Sequence, residues 1–392
     1  MGRTDENLIP PDTPWLTDPA ARAVCAALQA EGHHLYFVGG CVRNALLGRP
    51  VSDVDMSTNA RPEEVTRLAE AAGLKAVPTG IDHGTVTVVS DGHPFEITTF
   101  RRDVETDGRR AVVAYSDDIA DDARRRDFTM NALYATPAGE IVDPLGGLPD
   151  LRARRVRFIE DPAARIREDY LRILRFFRFT ATYGDPALGF DAEALAAIAA
   201  NLDGLETLSA ERLGHEMTRL LTAPEPAPAV AAMRQVGALG RVLPGSDDRW
   251  LGPLVHLEQE VGIPADWRAR LAILGGEDVA VWLRLSKADG RMLEKLTAHG
   301  FGATTLAEIA YREGVEVAQQ TLLIRGAVAA EIPQKCFLDT ITDAAKAEFP
   351  IRAADLMPRY KGPALGEKLR ALEADWIASG FALTAQELID RA

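Results

Sequence analysis

The sequence predicts an α+β fold in which a head with a mixed sheet is followed by an all-helical remainder. Short runs of β-branched and aromatic residues bounded by turn residues, such as Leu35–Val38, stand before residue 150. After that point leucine and alanine recur at spacings of three and four residues, which is the period of a helix. We therefore expect a mixed α+β head over residues 1–150 and an all-helical remainder over residues 151–392.

The elements of the head follow from local patterns. A hydrophobic strand ends at the Gly39-Gly40 turn, and Pro62 stands at the first position of a later helix. Residues 103–120 are charged and have no clear period, which predicts a loop. The predicted strands cover residues 34–38, 53–56, 85–89, 95–100 and 140–142. The predicted helices cover residues 19–31, 41–48, 62–73 and 127–134.

The helical remainder is predicted from apolar periodicity. Three prolines, Pro224, Pro226 and Pro228, mark a joint within it. The predicted helices cover residues 161–183, 191–201, 209–222, 226–238, 264–275, 277–284, 287–299, 303–313, 315–330, 336–346 and 364–379.

Bulk composition limits the class of protein. No run of about 18 apolar residues occurs, so we expect no membrane span. The first 18 residues are polar and contain prolines instead of an apolar signal segment, so we expect a cytoplasmic protein. The cysteines at positions 25, 41 and 336 are too far apart to indicate a disulfide framework or a zinc site.

The charge is unevenly distributed along the chain. A net charge of −14 argues against indiscriminate binding of nucleic acid. Residues 151–178 nevertheless contain nine arginines and four acids, a local balance of +5. This segment is either a solvated helix face or a surface for one defined polyanion.

The first chemical motif is the Gly39-Gly40 turn followed by Asp53 and Asp55. Residues i and i+2 of a strand share a face, so the two aspartates could hold one or two divalent cations. The glycines would let the backbone approach a phosphate, and Arg43 on the following helix could reach a phosphate oxygen. An Asp-x-Asp pair alone is commonly a polar strand edge, but the nearby diglycine turn favours metal-assisted attack on a nucleoside triphosphate.

Glu96 is a third acidic candidate. It lies between Phe95 and Ile97 in a predicted strand, and an acid buried between apolar neighbours needs a partner. A metal shared with the two aspartates would supply one. The alternative is a salt bridge to Arg101 or Arg102.

The second motif places Arg124, Arg125 and Arg126 before a predicted helix. These arginines concentrate positive charge where triphosphate oxygens could bind, and Asp127 would cap the helix or fix an arginine. Taken alone, such a cluster would more often lie on the surface.

The third motif consists of Asp169, Arg172, Arg175 and Arg178, which step by three along a predicted helix and would form one ridge. An amphipathic helix with ion pairs is the simpler interpretation. A carboxylate beside a guanidinium, however, matches the Watson–Crick edges of cytosine and adenine. Uracil and guanine would leave buried groups unpaired, at a cost of roughly 1–3 kcal/mol each.

Together the motifs resemble those of the class II tRNA nucleotidyltransferases, the CCA-adding enzymes, and their bacterial poly(A) polymerase relatives. The resemblance is clear over about residues 35–245 and weaker beyond them. It implies a nucleotidyltransferase-type mixed-sheet head over residues 1–150, an all-α neck over 151–222 and an all-α body and tail over 223–392. The matching segments are Val38–Arg43 with Asp53-Val54-Asp55, Glu96–Arg101, Arg125–Leu133, Asp143–Gly147 and Glu168–Arg175.

The resemblance also implies a role for each candidate residue. Asp53, Asp55 and Glu96 would be catalytic, with two Mg²⁺ ions held by Asp53 and Asp55. The nucleotide would be bound by Gly39, Gly40, Arg43, Arg126, Asp127, Asp169, Arg172, Arg175 and Arg178.

The implied reaction is template-independent addition of CCA to the 3′ end of tRNA from CTP and ATP, with release of pyrophosphate. Relatives that add only CC have a shortened loop before the second motif, whereas residues 102–123 retain it. Poly(A) polymerases tend to be longer and more basic at the C-terminus, so we favour full CCA addition. A catalytically inactive RNA-binding protein and a transferase for a small molecule are the alternatives from other classes.

Two departures from family patterns matter. The family usually has aspartate after the first-motif arginine, whereas this chain has Asn44, which puts an electrostatic role at that position in doubt. Some relatives carry a C-terminal phosphohydrolase domain with a His-Asp pair, and this chain has no His-Asp dipeptide. We therefore expect no phosphohydrolase activity.

Overall fold

The computed structural model shows an α+β protein, as the sequence predicts. It describes the backbone of residues 7–80, 84–107, 110–357 and 359–392, and the side chains of these residues outside 103–113. The chain divides into two compact units, Met1–Ser209 with Gln235–Arg241 and Ala210–Arg234 with Val242–Ala392. The finer division, with limits at residues 150 and 222, stays a prediction.

The first unit contains a mixed sheet and a separate hairpin. The strands are β1 (Leu35–Val38), β2 (Asp55–Thr58), β3 (Lys75–Gly80), β4 (Thr85–Ser90), β5 (His93–Thr99), β6 (Arg101–Asp107), β7 (Arg110–Tyr115), β8 (Tyr134–Ala135) and β9 (Ile141–Val142). The sheet has the order β3-β4-β5-β2-β1-β8-β9, in which β2 and β5 run parallel and the other neighbours run antiparallel. Strands β6 and β7 pair with each other.

Strand alternation decides the environment of Glu96. Its neighbours Phe95 and Ile97 in β5 are buried, so Glu96 is directed to the other face and is exposed. The expectation of a buried acid was therefore wrong. Among the residues that the structure describes, Glu96 forms no ion pair, so the alternative bridge to Arg101 or Arg102 is not formed either.

Helices accompany the sheet in the first unit and form the regular structure of the described chain from residue 210 onward. The first unit has α1 (Pro14–Thr17), α2 (Pro19–Gln29), α3 (Gly40–Leu46), α4 (Pro62–Ala71), α5 (Ile119–Arg124), α6 (Leu148–Arg152), α7 (Pro162–Glu168), α8 (Leu171–Tyr183) and α9 (Ala192–Ala199). From residue 210 onward there follow α10 (Ala210–Leu221), α11 (Ala227–Val236), α12 (Ala238–Val242), α13 (Leu251–Val261), α14 (Trp267–Leu274), α15 (Val279–Trp282), α16 (Lys287–Gly300), α17 (Leu306–Glu313), α18 (Val315–Ala329), α19 (Lys335–Ala344), α20 (Ala353–Leu356), α21 (Pro363–Ala378) and α22 (Ala385–Asp390). None of the helices described is long and apolar enough to cross a bilayer.

Two predictions in the head were wrong. The predicted loop over 103–120 contains most of the β6–β7 hairpin and the start of α5. Charged residues stand on both sides of the short apolar run over residues 111–115, so no regular apolar period marks the strands. Residues 108–109, part of the loop used to argue for CCA addition, lie outside the described residues. The predicted helix over 127–134 is only a 3₁₀ turn, Thr129–Asn131, followed by β8.

The predicted single helix over 161–183 was also wrong. Helix α7 ends at Glu168, and Asp169 has extended backbone angles, φ −153° and ψ 104°. Helix α8 begins two residues later. The apolar spacing continues across the break, so periodicity alone does not reveal it.

Candidate active site

A tight glycine turn connects β1 to α3. Gly39 has φ +71°, and its N–H donates to the carbonyl oxygen of Leu133 at 3.1 Å. A Cβ atom on Gly39 would lie 3.2 Å from Nη1 of Arg126, so both the backbone conformation and the available space favour glycine. A Cβ atom on Gly40 would come no nearer than 3.9 Å to Nη2 of Arg43. Of the two predicted glycines, Gly39 is therefore the one at which the structure requires glycine.

The three predicted acids line one cavity of about 530 Å³. Asp55 begins β2 and stands opposite Glu96 in the parallel pairing with β5, and Asp53 lies just before the strand. Asp18 and His93 line the same cavity. The structure thus brings the predicted catalytic acids to one place.

The position of Asp53 differs from the prediction. Strand β2 begins at Asp55, so the predicted strand over 53–56 starts two residues too early, and the two aspartates do not share a strand face by alternation. Asp53 is exposed and accepts a hydrogen bond from Ser52 Oγ at 2.8 Å. A connecting segment, not the sheet, therefore positions its carboxylate.

The charges of the acidic cavity suit a divalent cation. Desolvation and the negative charge of Glu96 raise the pKa of Asp55, Arg126 opposes this shift, and Asp53 adds to it. A bound cation would relieve this repulsion. No three acidic, histidine or cysteine side chains in the described part of the chain are arranged to hold a metal ion. Mg²⁺, however, commonly takes only one or two protein carboxylates beside water and substrate phosphates, so Asp53 and Asp55 fit it.

Arg126 is held by Asp122, which the sequence analysis did not single out. The Asp122 carboxylate is fully buried and accepts hydrogen bonds from Nε of Arg125 and Nη2 of Arg126, both at 3.0 Å. The Tyr134 hydroxyl donates to the same carboxylate at 2.7 Å. Burial would raise the pKa of Asp122, but the charges of Arg126 and Arg125 lower it to about 2. The spacings of three and four residues indicated that an aspartate could contact these arginines, but Asp121 has the same spacings to Arg124 and Arg125.

Asp127 fixes an arginine, which was one of its two predicted roles. Its carboxylate accepts hydrogen bonds from Nε and Nη2 of Arg175 at 2.8 and 2.6 Å. Nδ2 of Asn131 and the N–H of Phe128 also donate to it, each at 2.8 Å. The other predicted role, capping a helix, was wrong because Phe128 is the N-cap of the 3₁₀ turn.

Arg43 is buried and fully oriented by its neighbours. Its Nη1 donates to Asn131 Oδ1, and its Nη2 donates to the Tyr183 hydroxyl at 2.7 Å. Nε and Nη2 also donate to Asn44 Oδ1 at 3.1 and 3.0 Å. Burial lowers the pKa of Arg43 below its usual value. Neither Asn131 nor Tyr183 was assigned a role from the sequence.

Three guanidinium groups surround the buried ring of Phe179. The Cζ atoms of Arg43, Arg175 and Arg178 lie 5.2, 5.1 and 4.6 Å from its centroid. The Asp127 carboxylate offsets part of this charge through Arg175. Clustered guanidiniums next to a strand-to-helix glycine turn form an environment suited to a chain of phosphates.

The predicted ridge of the third motif is broken at its first member. Asp169 lies in the extended link, where its carboxylate accepts a backbone N–H at the start of α8 at 3.1 Å. Arg172 donates to the Glu168 carboxylate at 2.6 Å. It also donates to the carbonyl oxygens of Arg165 and Arg125 at 2.8 and 3.0 Å. Glu168, quoted in the motif without a role, therefore orients Arg172.

Comparisons with known proteins point to one family. The model of the poly A polymerase head domain matches residues 35–157, and that of the probable RNA and SrmB-binding site of polymerase A matches residues 188–249. The CCA-adding enzyme of Streptococcus gordonii is 38% identical over 285 residues, which cover 70% of this chain and 69% of the relative. That of Bacillus cytotoxicus is 29% identical over 384 residues, which cover 91% and 93%. The chain belongs to the CCA-adding enzyme family.

Solved structures agree with this assignment. The crystal structure of the Bacillus stearothermophilus CCA-adding enzyme in complex with CTP has a TM-score of 0.71 at 26% identity, covering 95% of this chain and 98% of that chain. The family resemblance, the fold class and the prediction of an enzyme of this class are therefore confirmed. The nucleotidyltransferase family also fits a requirement for a divalent metal. The roles of individual residues stay predictions.

Proposed function

We propose that this member of the CCA-adding enzyme family adds CCA to the 3′ end of tRNA, using CTP and ATP without a nucleic-acid template. The observation that carries the proposal is the arrangement around Arg126. This arginine lies next to Gly39 of the glycine turn, and its charge acts on Asp55 at the acidic cavity. This position supports a proposal in which a phosphate site and a cation site adjoin one another.

The arginines would bind the triphosphate. Arg43, Arg175 and Arg178 stand around Phe179, and contacts with Tyr183 and Asp127 orient Arg43 and Arg175. Preorganised cations stabilise the charge that develops on the leaving group without further rearrangement. We assign the same role to Arg126, which Asp122 holds in place.

In the proposed reaction the 3′-hydroxyl oxygen of tRNA forms a bond to the α-phosphorus while the bond from that phosphorus to the pyrophosphate oxygen breaks. The hydroxyl proton is released, and pyrophosphate leaves. Mg²⁺, with two ions held by Asp53 and Asp55, would supply a lowered pKa for the attacking hydroxyl and charge for the leaving group. The protein contributes mainly position and electrostatics.

Asp169 and Arg172 would select the base. Three acceptors hold the Arg172 guanidinium in one orientation, namely the Glu168 carboxylate and the carbonyl oxygens of Arg165 and Arg125. A fixed donor beside an acceptor can discriminate between base edges, because a mismatched base leaves buried groups unpaired. Selection by protein side chains would explain how addition proceeds without a template.

One assay tests the proposal. The purified protein is incubated with Mg²⁺ and tRNA that ends before its CCA, with CTP alone, ATP alone or both, and products are resolved at single-nucleotide length. We expect two additions with CTP alone and three with both nucleotides. Two additions under every condition that includes CTP would indicate a CC-only enzyme, and a long ladder with ATP alone a poly(A) polymerase. The absence of any product would refute the proposal.

A further inference from the structure

The first motif departs from the family pattern at Asn44, and the structure shows what this amide does. Its Oδ1 accepts hydrogen bonds from Nε and Nη2 of Arg43, at 3.1 and 3.0 Å. Its Nδ2 donates to the carbonyl oxygen of Pro50 at 2.8 Å. A carboxylate is an acceptor only, so aspartate could accept from Arg43 but could not donate to Pro50.

Pro50 belongs to residues 47–54, the segment that links α3 to β2 and carries Asp53. The same segment is attached to Asn44 a second time, because the Arg49 N–H donates to the Asn44 carbonyl oxygen at 2.8 Å. The backbone and the side chain of Asn44 thus both contact this link. No other side-chain hydrogen bond holds its central residues 49–51 to another element among the described residues.

Tyr183 of α8 contacts both Arg43, which precedes Asn44, and Arg49, which lies in the link. The guanidinium groups of Arg43 and Arg49 lie over its ring, 4.1 and 4.9 Å from the centroid. Its hydroxyl accepts a hydrogen bond from Arg43. Arg43 is therefore held against α8. The Asn44 side chain connects Arg43 to the link through its hydrogen bonds to both.

We propose that Asn44 is a positioning residue that fixes the 47–54 link to Arg43, so that the Asp53 carboxylate and the Arg43 guanidinium keep a set separation. This inference rests on the proposed function, in which these two residues serve the cation and the triphosphate. In Asn44→Asp, the carboxylate and the Pro50 carbonyl would be two acceptors facing each other at hydrogen-bond distance. The resulting repulsion would release the link although the contact with Arg43 gains charge.

Hydrogen exchange read by mass spectrometry tests the structural part without any substrate. Peptides that cover residues 47–54 are compared in the parent, Asn44→Asp, Asn44→Ala and Asn59→Asp. Asn59 is a matched control because its Oδ1 accepts the His34 N–H, a contact that aspartate preserves. We expect exchange in the link to rise by several-fold up to about tenfold in both Asn44 variants, the effect of one lost hydrogen bond, and to stay unchanged in Asn59→Asp.

Kinetics test the functional part. We expect Asn44→Asp to raise KM for CTP and ATP and to lower kcat, each by several-fold up to about tenfold, whereas Asn59→Asp leaves both unchanged. Unchanged exchange in Asn44→Asp would overturn the inference, whatever the kinetics. Faster exchange with KM and kcat within twofold of the parent would overturn it as well. A parent protein that incorporates no nucleotide would refute the proposed function, and the exchange experiment would still decide whether Asn44 fixes the link.

Discussion

At the scale of single residues, Asp122 is the group on which the orientation of the second-motif arginines depends. Its buried carboxylate accepts three hydrogen bonds, two of them from guanidinium groups. Asp122→Ala would leave those buried donors without their acceptor. We expect it to lower the free energy of unfolding by about 3 kcal/mol, measured by urea denaturation. Asp117→Ala, which removes an exposed partner of Arg61, should change it by less than about 1 kcal/mol.

The pH dependence provides an independent check on Asp122. Its pKa is lowered from an ordinary 3.8 to about 2 in the folded protein. The charged carboxylate therefore stabilises the fold above about pH 4, and this contribution is lost as the pH falls towards 2. The difference in unfolding free energy between the parent and Asp122→Ala should shrink over that interval. A difference that stays constant would show that packing alone accounts for the loss.

Replacement of Asp55 should reduce catalytic activity without changing the stability of the fold. It is exposed at the start of β2, so Asp55→Asn should leave the unfolding free energy nearly unchanged. We expect nucleotide incorporation to fall at least about a hundredfold, because a lost metal ligand removes several kcal/mol of charge stabilisation. Asp91→Asn, in the turn between β4 and β5, is the matched control and should keep parental activity. Normal incorporation by Asp55→Asn would contradict the assignment.

Sequence patterns singled out the candidate catalytic and binding residues, but not the residues that support them in the structure. Asp55 and Arg126 stand in motifs, whereas Asp122 is one of two adjacent aspartates that look equivalent in the sequence. Only burial distinguishes Asp122, which is fully buried, from its neighbour Asp121, which keeps 27% of its side chain exposed. Phe179 likewise resembles any core aromatic until the three guanidiniums around it are seen.

At the scale of elements, the contact between α6 and the 3₁₀ turn positions Asn131. A Cβ atom on Gly147 would lie 2.2 Å from the carbonyl oxygen of Thr129, which is backbone and cannot rotate away. Gly147→Ala should therefore displace the turn, lower the free energy of unfolding by about 3 kcal/mol and reduce activity through Arg43. Gly240→Ala is the control, since nothing lies within 4 Å of its added Cβ. Parental stability of Gly147→Ala would show that the two elements are less closely packed.

The residues proposed to select the base, Asp169 and Arg172, lie at the break between α7 and α8. Arg172→Ala removes the donor that Glu168 and two carbonyl oxygens orient. We expect the preference for CTP over UTP, measured as a ratio of kcat/KM values, to fall by about 10- to 100-fold. Arg67→Ala, an exposed arginine on α4, should leave that ratio unchanged. A ratio unaffected by Arg172→Ala would move base selection to other residues.

The elements that were predicted correctly are those with an apolar face in the core. Strand β4 alternates buried valines with half-buried residues, and its pattern is visible in the sequence. The β6–β7 hairpin lacks an apolar period, and the break at Asp169 lies inside a continuous one. Helix α13 was missed altogether, although its Leu251, Leu254 and Val255 are buried. Periodicity therefore indicates burial for most elements. It fails where an element is polar or where a break keeps the period, and the buried face of α13 was overlooked.

At the scale of the whole molecule, an acidic protein must bind an anionic substrate selectively. The nine arginines of residues 151–178 divide by exposure. The inner group is buried or half-buried and consists of Arg165, Arg172, Arg175 and Arg178. The outer group is exposed and consists of Arg152, Arg154, Arg155, Arg157 and Arg167.

The outer group should contribute to RNA affinity through phosphate contacts. Each contact releases counterions, so replacing Arg154 and Arg167 by glutamine should weaken tRNA binding and reduce the slope of log K against log salt by up to about 2. Arg67→Gln alters an exposed arginine that is paired with Glu31 and Glu64, and it should leave the slope unchanged. Filter binding over a series of salt concentrations measures this slope. Because the net charge of −14 repels nucleic acid in general, duplex DNA of similar length should compete poorly in the same assay. A parental slope in the double variant would show that the tRNA backbone contacts other parts of the molecule.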